Sequence, residues 1–409
     1  MKKKDILAGQ KALLDEIAAL RKENMQLRQQ LSELPEQPPE PPVPDDPEEE
    51  VTPAHQFSRF PVLRSVDDKY PDGALLAPEE EDDEPMTLRA LAVHLRGYAA
   101  AQFGLRAAED VFASLLGAMA VSDLIVLHGE AAAVPQAVAA ALSQQAELVS
   151  LRHAEDALGT WDATTKMYHE KRLLRVIYEA GYQSAPCFAV MEDAETAASE
   201  GLAAVRRTAG MGLGPARALR LANDAWPGDP LLLQGGALPY PENLWLFAVA
   251  NPDAAQDVSQ ALAAPMQLHL NLQEDKAEIS PVLKPIEISA ARLRALFREA
   301  AAEHPIPEET NKLFAQTAEY LAEHLDYSID AQTQRQMAPF LGVCLACGLQ
   351  PKQALDAFLY HKALRRLESA DPFLLRHELA GLERFLKDTF GKNGLPLTRV
   401  FTKGLQKND

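Results

Sequence analysis

Cysteine is scarce: Cys187, Cys344 and Cys347 are the only three in 409 residues. That is too few to staple a fold and is ordinary for a reducing compartment. No stretch reaches the ~18 consecutive apolar residues of a membrane span. The charged start MKKKD leads into an amphipathic pattern and not into an apolar signal core. A cytoplasmic protein with no membrane partner is expected. Basic side chains are in deficit, 40 Lys and Arg against 59 Asp and Glu, for a formal net charge of -19. Such a balance argues against a chain whose work is to neutralise nucleic-acid phosphates. The ten histidines form no HExxH and no Ser-His-Asp pattern. CLAC at 344–347 has the spacing of half a zinc site, yet no second Cys or His pair stands at metal spacing and its surroundings are apolar. A buried helix turn and no metal are expected.

The length suggests two or three compact units, and the charge divides them. Residues 35–86 hold three basic and sixteen acidic side chains, and eight prolines fall within residues 35–54. Neither helix nor central strand persists there, so 35–86 reads as an acidic, proline-rich linker kept extended by like-charge repulsion. An apolar island interrupts it at 55–63, with Phe57, Phe60, Val62 and Leu63. It could dock on another surface or pack as a strand or loop on its own globular domain.

Ahead of the linker, residues 1–34 carry a heptad seam. Ile6, Leu13, Leu20 and Leu27 recur every seven residues, and Gln10, Ile17, Asn24 and Leu31 fill the complementary position. Glu16 and Glu23 can reach Arg21 and Arg28 of a second copy, and a buried Asn24 pair fixes register, so a parallel coiled-coil dimer is expected. A single amphipathic helix lying on the body is the alternative. Only Lys2, Lys3 and Lys4 precede the seam, which argues against the basic region of a DNA-binding zipper.

From 87 to 285 helices and strands alternate. Thr87 caps an amphipathic run with Leu88, Leu91, Leu95 and Tyr98, and a second helix follows through Val111, Phe112, Leu115 and Leu116. DLIVLHG at 123–129 has the length of a buried parallel strand and leads through a small-residue loop into an alanine-rich helix over 135–142. Two more buried strands are predicted, CFAVM ending in Glu192 and Asp193, and LWLFAVA ending in Asn251. In a doubly wound parallel sheet these ends face one crevice, where a nucleotide would bind.

Several blocks then resemble AAA+ ATPases of the McrB type. The string LRALAVHLRGYAAAQFGLRAAEDVFASLLGAMAVSDLIVLHGEAAAVPQAVAAAL is similar to their entry helices, first strand and Walker A region. PCFAVMEDAETA resembles the Walker B stretch, LPYPENLWLFAVANPDAA the sensor strand, and ALDAFLYHKALRRLESADPFLLRHELAGLERFL the helical lid. The resemblance spans about residues 86 to 405 and implies a P-loop NTPase-like parallel-sheet core at 87–285 and a C-terminal all-α lid over 286–409.

Laid on GxxGxGKT, the family's phosphate loop, this chain gives Gly129, Ala132, Val134, Pro135 and Gln136. A working loop needs glycines that let amides curl around phosphates, a Lys for the β and γ oxygens and a hydroxyl for magnesium. Here Ala and Val replace two glycines, Pro replaces the Lys and Gln the hydroxyl. Pro135 also removes an amide donor, while suiting the first turn of a helix. Glu192 and Asp193 invert the Walker B order, which misplaces both carboxylates for a reaction dominated by positioning. Asn251 keeps the sensor place. The stretch implied for the arginine finger, LAAPM at 262–266, has no Arg, and Ser328 stands where relatives carry the lid arginine. The expectation is a pseudo-ATPase: no catalytic residue, a vestigial nucleotide site and no cofactor. As an assembly or adaptor subunit it would dimerise through the coiled coil and partner an active AAA+ protein. The alternative is a divergent NTPase of a restriction or defence system, using Glu192, Asp193 and Asn251 with Lys166 or Lys171 on ATP or GTP with Mg. A nucleic-acid scaffold follows from family analogy only. GMGLG at 210–214 lacks the preceding strand of a dinucleotide fingerprint. Arg206, Arg207, Arg217 and Arg220 form either a basic patch or, more commonly for such spacing, a solvated face.

Overall fold

The computed structural model describes residues 58–70, 86–128, 133–151, 157–192, 204–205, 208, 217–250, 266–269, 279–365, 367, 372–391 and 394–407. All belong to one compact unit, Val51–Asp409. The heptad residues Ile6, Leu13, Ile17, Leu20, Asn24, Leu27 and Leu31 lie outside the described residues, as do Phe57, Gly129, Ala132, Asp193, Arg206, Arg207, 210–214, Asn251 and 262–265.

Five parallel strands form the central sheet: β1 (Leu124–His128), β2 (Ala146–Ser150), β5 (Cys187–Glu192), β8 (Leu244–Ala250) and β9 (Met266–His269), in the order β2-β5-β8-β1-β9. The apolar runs LIVLH, CFAVME and LWLFAVA give the three interior strands, as read from the sequence. Two edge strands escaped that reading. β2 is a mixed AELVS with one buried position, and β9 is the short MQLH, which begins inside the stretch taken for the finger.

Alternate strand residues enter two separate cores. Ile125, Leu127, Phe188, Trp245 and Phe247 face one side; Leu124, Val126, Ala189, Met191, Leu244, Leu246 and Ala248 face the other. Burial on both faces is what a parallel sheet requires.

The first side is covered by α2 (Leu88–Phe103), α3 (Glu109–Val121) and α4 (Ala133–Ala141). Thr87 caps α2 as expected, its hydroxyl accepting from Ala90 N at 3.2 Å. The same core continues without a break into α6 (Ala290–Glu303), α7 (Glu308–Leu325), α8 (Ala331–Ala346), α9 (Pro351–Phe358) with a π-helical turn at Leu359–Ala363, α10 (Pro372–Phe390) and α11 (Pro396–Lys407). α8 crosses α3 and α6 at glycines: a Cβ on Gly117 would meet Phe340 at 3.0 Å, and one on Gly342 would meet the Ala301 Cα at 2.8 Å. Cys344 and Cys347 lie in this crossing, where their thiols reach the carbonyls of Ala113 and Leu88. The CLAC motif is therefore a buried turn. No group of side chains among the described residues could hold a metal ion.

The second side is covered by α1 (Pro61–Lys69), α5 (Arg172–Ala180) and two hairpins, β3 (Gly159–Asp162) with β4 (Met167–Glu170) and β6 (Ala218–Arg220) with β7 (Ala237–Pro239). The chain crosses from β1 to β2 over the first side through α4 and returns from β2 to β5 over the second through α5, in keeping with crossovers of one hand. α1 takes up the apolar island within the linker. Pro61 opens a helix at its first position, where no amide is needed, and Phe60, Leu63 and Val66 are fully buried against the body. Of the two readings of the apolar island, packing on its own domain holds, but as a helix and not as the strand or loop expected. No helix among the described residues is long and apolar enough to cross a membrane.

Candidate functional site

The carboxyl ends of β1, β8 and β5 lie side by side. His128 is level with Ala250, and Met191 with Ala248, which sets Glu192 beside Val249. β8 separates β1 from β5, so the end of β1 and Glu192 stand about 10 Å apart, two strand spacings. The chain leaves β1 over one face and approaches β5 from the other, and ligands of doubly wound sheets gather at such ends. Of the residues expected here, the structure describes Val134, Pro135, Gln136 and Glu192, and puts them at this edge on α4 and β5.

α4 begins at Ala133 and carries no acidic residue in its first turn. Its free amides make that end mildly anion-attracting. Val134 and Pro135 turn inward and are buried, and Gln136 is half-buried. The first turn therefore offers neither an ammonium nor a hydroxyl to the crevice, and one amide is missing at Pro135. Glu192 is exposed at the strand end, its carbonyl accepting from Leu151 N at 3.0 Å. Lys166 lies in the β3–β4 turn with φ 56, and Lys171 directly precedes α5; both are exposed.

The opposite, amino edge of the sheet holds charges that the sequence did not flag. Asp123, immediately before β1, is fully buried and accepts from Arg217 and Arg294, whose side chains are 7% and 5% exposed. Arg294, on α6, also donates to Met119 O at 3.2 Å and Glu242 O at 3.0 Å, and lies 3.9 Å from the Trp245 ring centroid. It thus serves the open carbonyl end of α3. Arg217 sits over the Tyr240 ring at 5.0 Å. Burial, and then the Asp123 charge, hold the Tyr240 phenol well above its ordinary range. Arg217 is not part of a solvated basic face: the residue before β6 turns inward because a buried carboxylate needs a partner. Only pairs 94 and 171 residues apart reveal this, which no local pattern carries.

Three other carboxylates act at long range. Glu170 accepts from Val62 N at 3.1 Å and Leu63 N at 3.3 Å, at the start of α1. Asp356 does the same for α11, through Leu397 N at 2.8 Å and Thr398 N at 2.9 Å. Both helices open on proline, Pro61 and Pro396, which was the available signal. Asp67 accepts from the Tyr178 hydroxyl, the Tyr182 hydroxyl at 2.6 Å and Leu231 N at 3.0 Å. Burial first, and these bonds second, push the Tyr182 phenol up to about 12.

A five-stranded parallel sheet covered on both faces by helices and hairpins is an α/β fold. No family model matches the chain, and no curated protein matches it. Among solved structures, it aligns with one from Cytophaga hutchinsonii described as a "putative ATPase", at 12% identity and a TM-score of 0.40, over 67% of this chain and 84% of that one.

Proposed function

We propose that this protein is a non-catalytic, AAA+-like subunit of the McrB type, a pseudo-ATPase that acts in assembly or as an adaptor. The observation that carries the reading is the first turn of α4, where Val134 and Pro135 are core residues and Gln136 stands in place of the magnesium-binding hydroxyl. Phosphoryl transfer is almost wholly positioning and charge stabilisation. A loop without its lysine, its hydroxyl and one of its amides has lost the parts that do both. The persistence of a well-packed sheet around that loop fits a scaffold retained for its shape, since site residues and fold are separable. On this reading residues 1–34 pair two copies in parallel, and the body joins or recruits an active AAA+ partner. Calorimetric titration with ATP or GTP and magnesium tests it: no binding at micromolar concentrations is expected, and micromolar affinity would overturn it. Deleting residues 1–34 should halve the sedimenting mass, and an unchanged mass would remove the dimer.

One observation favours a second reading, a divergent active NTPase. Glu192 is exposed at the end of β5, beside β8, which ends at Ala250, the residue before Asn251 in the sequence. Steady-state phosphate release that disappears in Glu192→Ala would establish that reading.

A further inference from the structure

The two hairpins of the second face are small. β3 and β4 pair over four residues each, β6 and β7 over three, and two-stranded hairpins are marginal in water on their own. Both touch residues 58–70. Tyr168 N, on β4, donates to Arg59 O at 2.8 Å, and the Phe60 and Tyr168 rings pack with centroids 5.3 Å apart. On the other side the Arg59 guanidinium forks onto Asp229 at 3.0 and 2.6 Å and reaches Asp224 at 2.9 Å, in the turn between β6 and β7, with its carbon 5.4 Å from the Trp226 ring. Asp67, near the far end of α1, accepts Leu231 N from the same turn and two tyrosine hydroxyls from the α5 region. One short helix thus joins three pieces of chain that lie more than a hundred residues further on.

We propose that residues 58–70 form a releasable clamp that orders both hairpins, and that the proton at Glu170 governs its grip. Glu170 ends β4 and sits under the first amides of α1. Burial raises its carboxyl from 4.5 to about 7, against the opposing pull of the Val62 and Leu63 amides. The charged groups on the surrounding elements are otherwise engaged. Arg64 pairs with Asp67 on α1, and Arg172 and Arg175 on α5 pair with Glu147 and Glu179. His169, beside Glu170, lies 3.8 Å from Asp162 across the hairpin, and Lys171 is exposed. A carboxyl that titrates higher when the clamp is seated than in solvent binds its proton more tightly in the seat. Seating is therefore strongest below about pH 4.5 and weakens as pH rises through about 7, where Glu170 ionises in place. The device is independent of whether the crevice at the carboxyl ends of the strands holds nucleotide.

Amide hydrogen exchange on the full chain, corrected for intrinsic rates, tests both parts. Between about pH 5.5 and about pH 8.5, protection over 60–70, 218–222 and 237–240 should fall by roughly tenfold or more, a unit of pKa difference being a factor of ten. β1, β5 and β8 should keep theirs. Glu170→Gln, which retains an acceptor but cannot ionise, should flatten the pH dependence. Arg59→Ala should lower hairpin protection at every pH and spare the sheet. A pH-independent wild type, or a Glu170→Gln variant with the wild-type profile, would remove the role of Glu170. Hairpins that stay protected when 60–70 exchange freely would overturn the clamp.

Discussion

The two ends of the parallel sheet treat charge in opposite ways. At the amino edge one buried carboxylate, Asp123, engages two buried guanidinium groups, and through them ties β1, the β6 hairpin and α6 into one node. At the carboxyl edge α4 opens with apolar residues and Glu192 is exposed. The buried charges stand at the amino edge, and among the described residues of the carboxyl edge the first turn of α4 carries no charge. That contrast separates scaffold from site more clearly than either end does alone, and mutating the two ends should give very different outcomes.

The largest effect belongs to Asp123→Ala. It leaves two buried guanidinium groups unpaired, and breaking such a pair costs about 3–5 kcal/mol. Urea denaturation should show that loss, and a change under ~1 kcal/mol would mean that the node is solvated. Next comes Gly342→Val at the α8–α6 crossing. There a Cβ would fall 2.8 Å from the Ala301 Cα, and overpacking of this kind costs about 1–3 kcal/mol. An unaffected midpoint would show the helical layer to be loosely held. Asp356→Ala removes the long-range cap of α11 and should cost about 0.5–2 kcal/mol, the usual range for a cap. Because burial raises the Asp356 carboxyl above its ordinary value, its ionised form is the one disfavoured by folding. Its contribution should therefore weaken as pH rises past the free value, a trend that thermal melts of wild type and variant at two pH values would expose. The smallest effect is expected at the carboxyl edge: Glu192→Ala should shift stability within ~0.5 kcal/mol, as for exposed positions away from special contacts. A loss comparable with that of Asp123→Ala would abolish the distinction between the two ends.

The interior of the fold was legible because its signals are local. Unbroken apolar runs gave β1, β5 and β8, Thr87 announced α2, and the apolar setting of Cys344 and Cys347 marked a core turn. The edge strands were not legible. β2 exposes Glu147, Leu148 and Ser150 and so lacks the pattern of a buried strand. Arg217 was read among surface arginines because its partner lies 94 residues away. The α1 island carried an apolar pattern, but whether it packed at home depended on Glu170, Asp224 and Asp229, which no window around residue 60 contains. At the candidate site the letters alone gave Val134, Pro135 and Gln136 at the start of a helix. The inward turn of Val134 and Pro135, which closes that helix end to substitution by polar contacts, required the packing of α4 on the sheet.

The three thiols provide an internal clock. Cys344 and Cys347 are sealed where α8 meets α2 and α3, and burial raises both thiols, Cys347 to about 12. Thiolates are the species that alkylating reagents attack, so neither sulfur reacts until the helices part. Cys187, at the start of β5, is half-buried, and burial raises its thiol to about 12 as well, so it differs from the other two in access and not in acidity. Staggered labelling of one molecule, counted by mass, would time the opening of the helical layer against local breathing of the sheet, with no dye or engineered residue added.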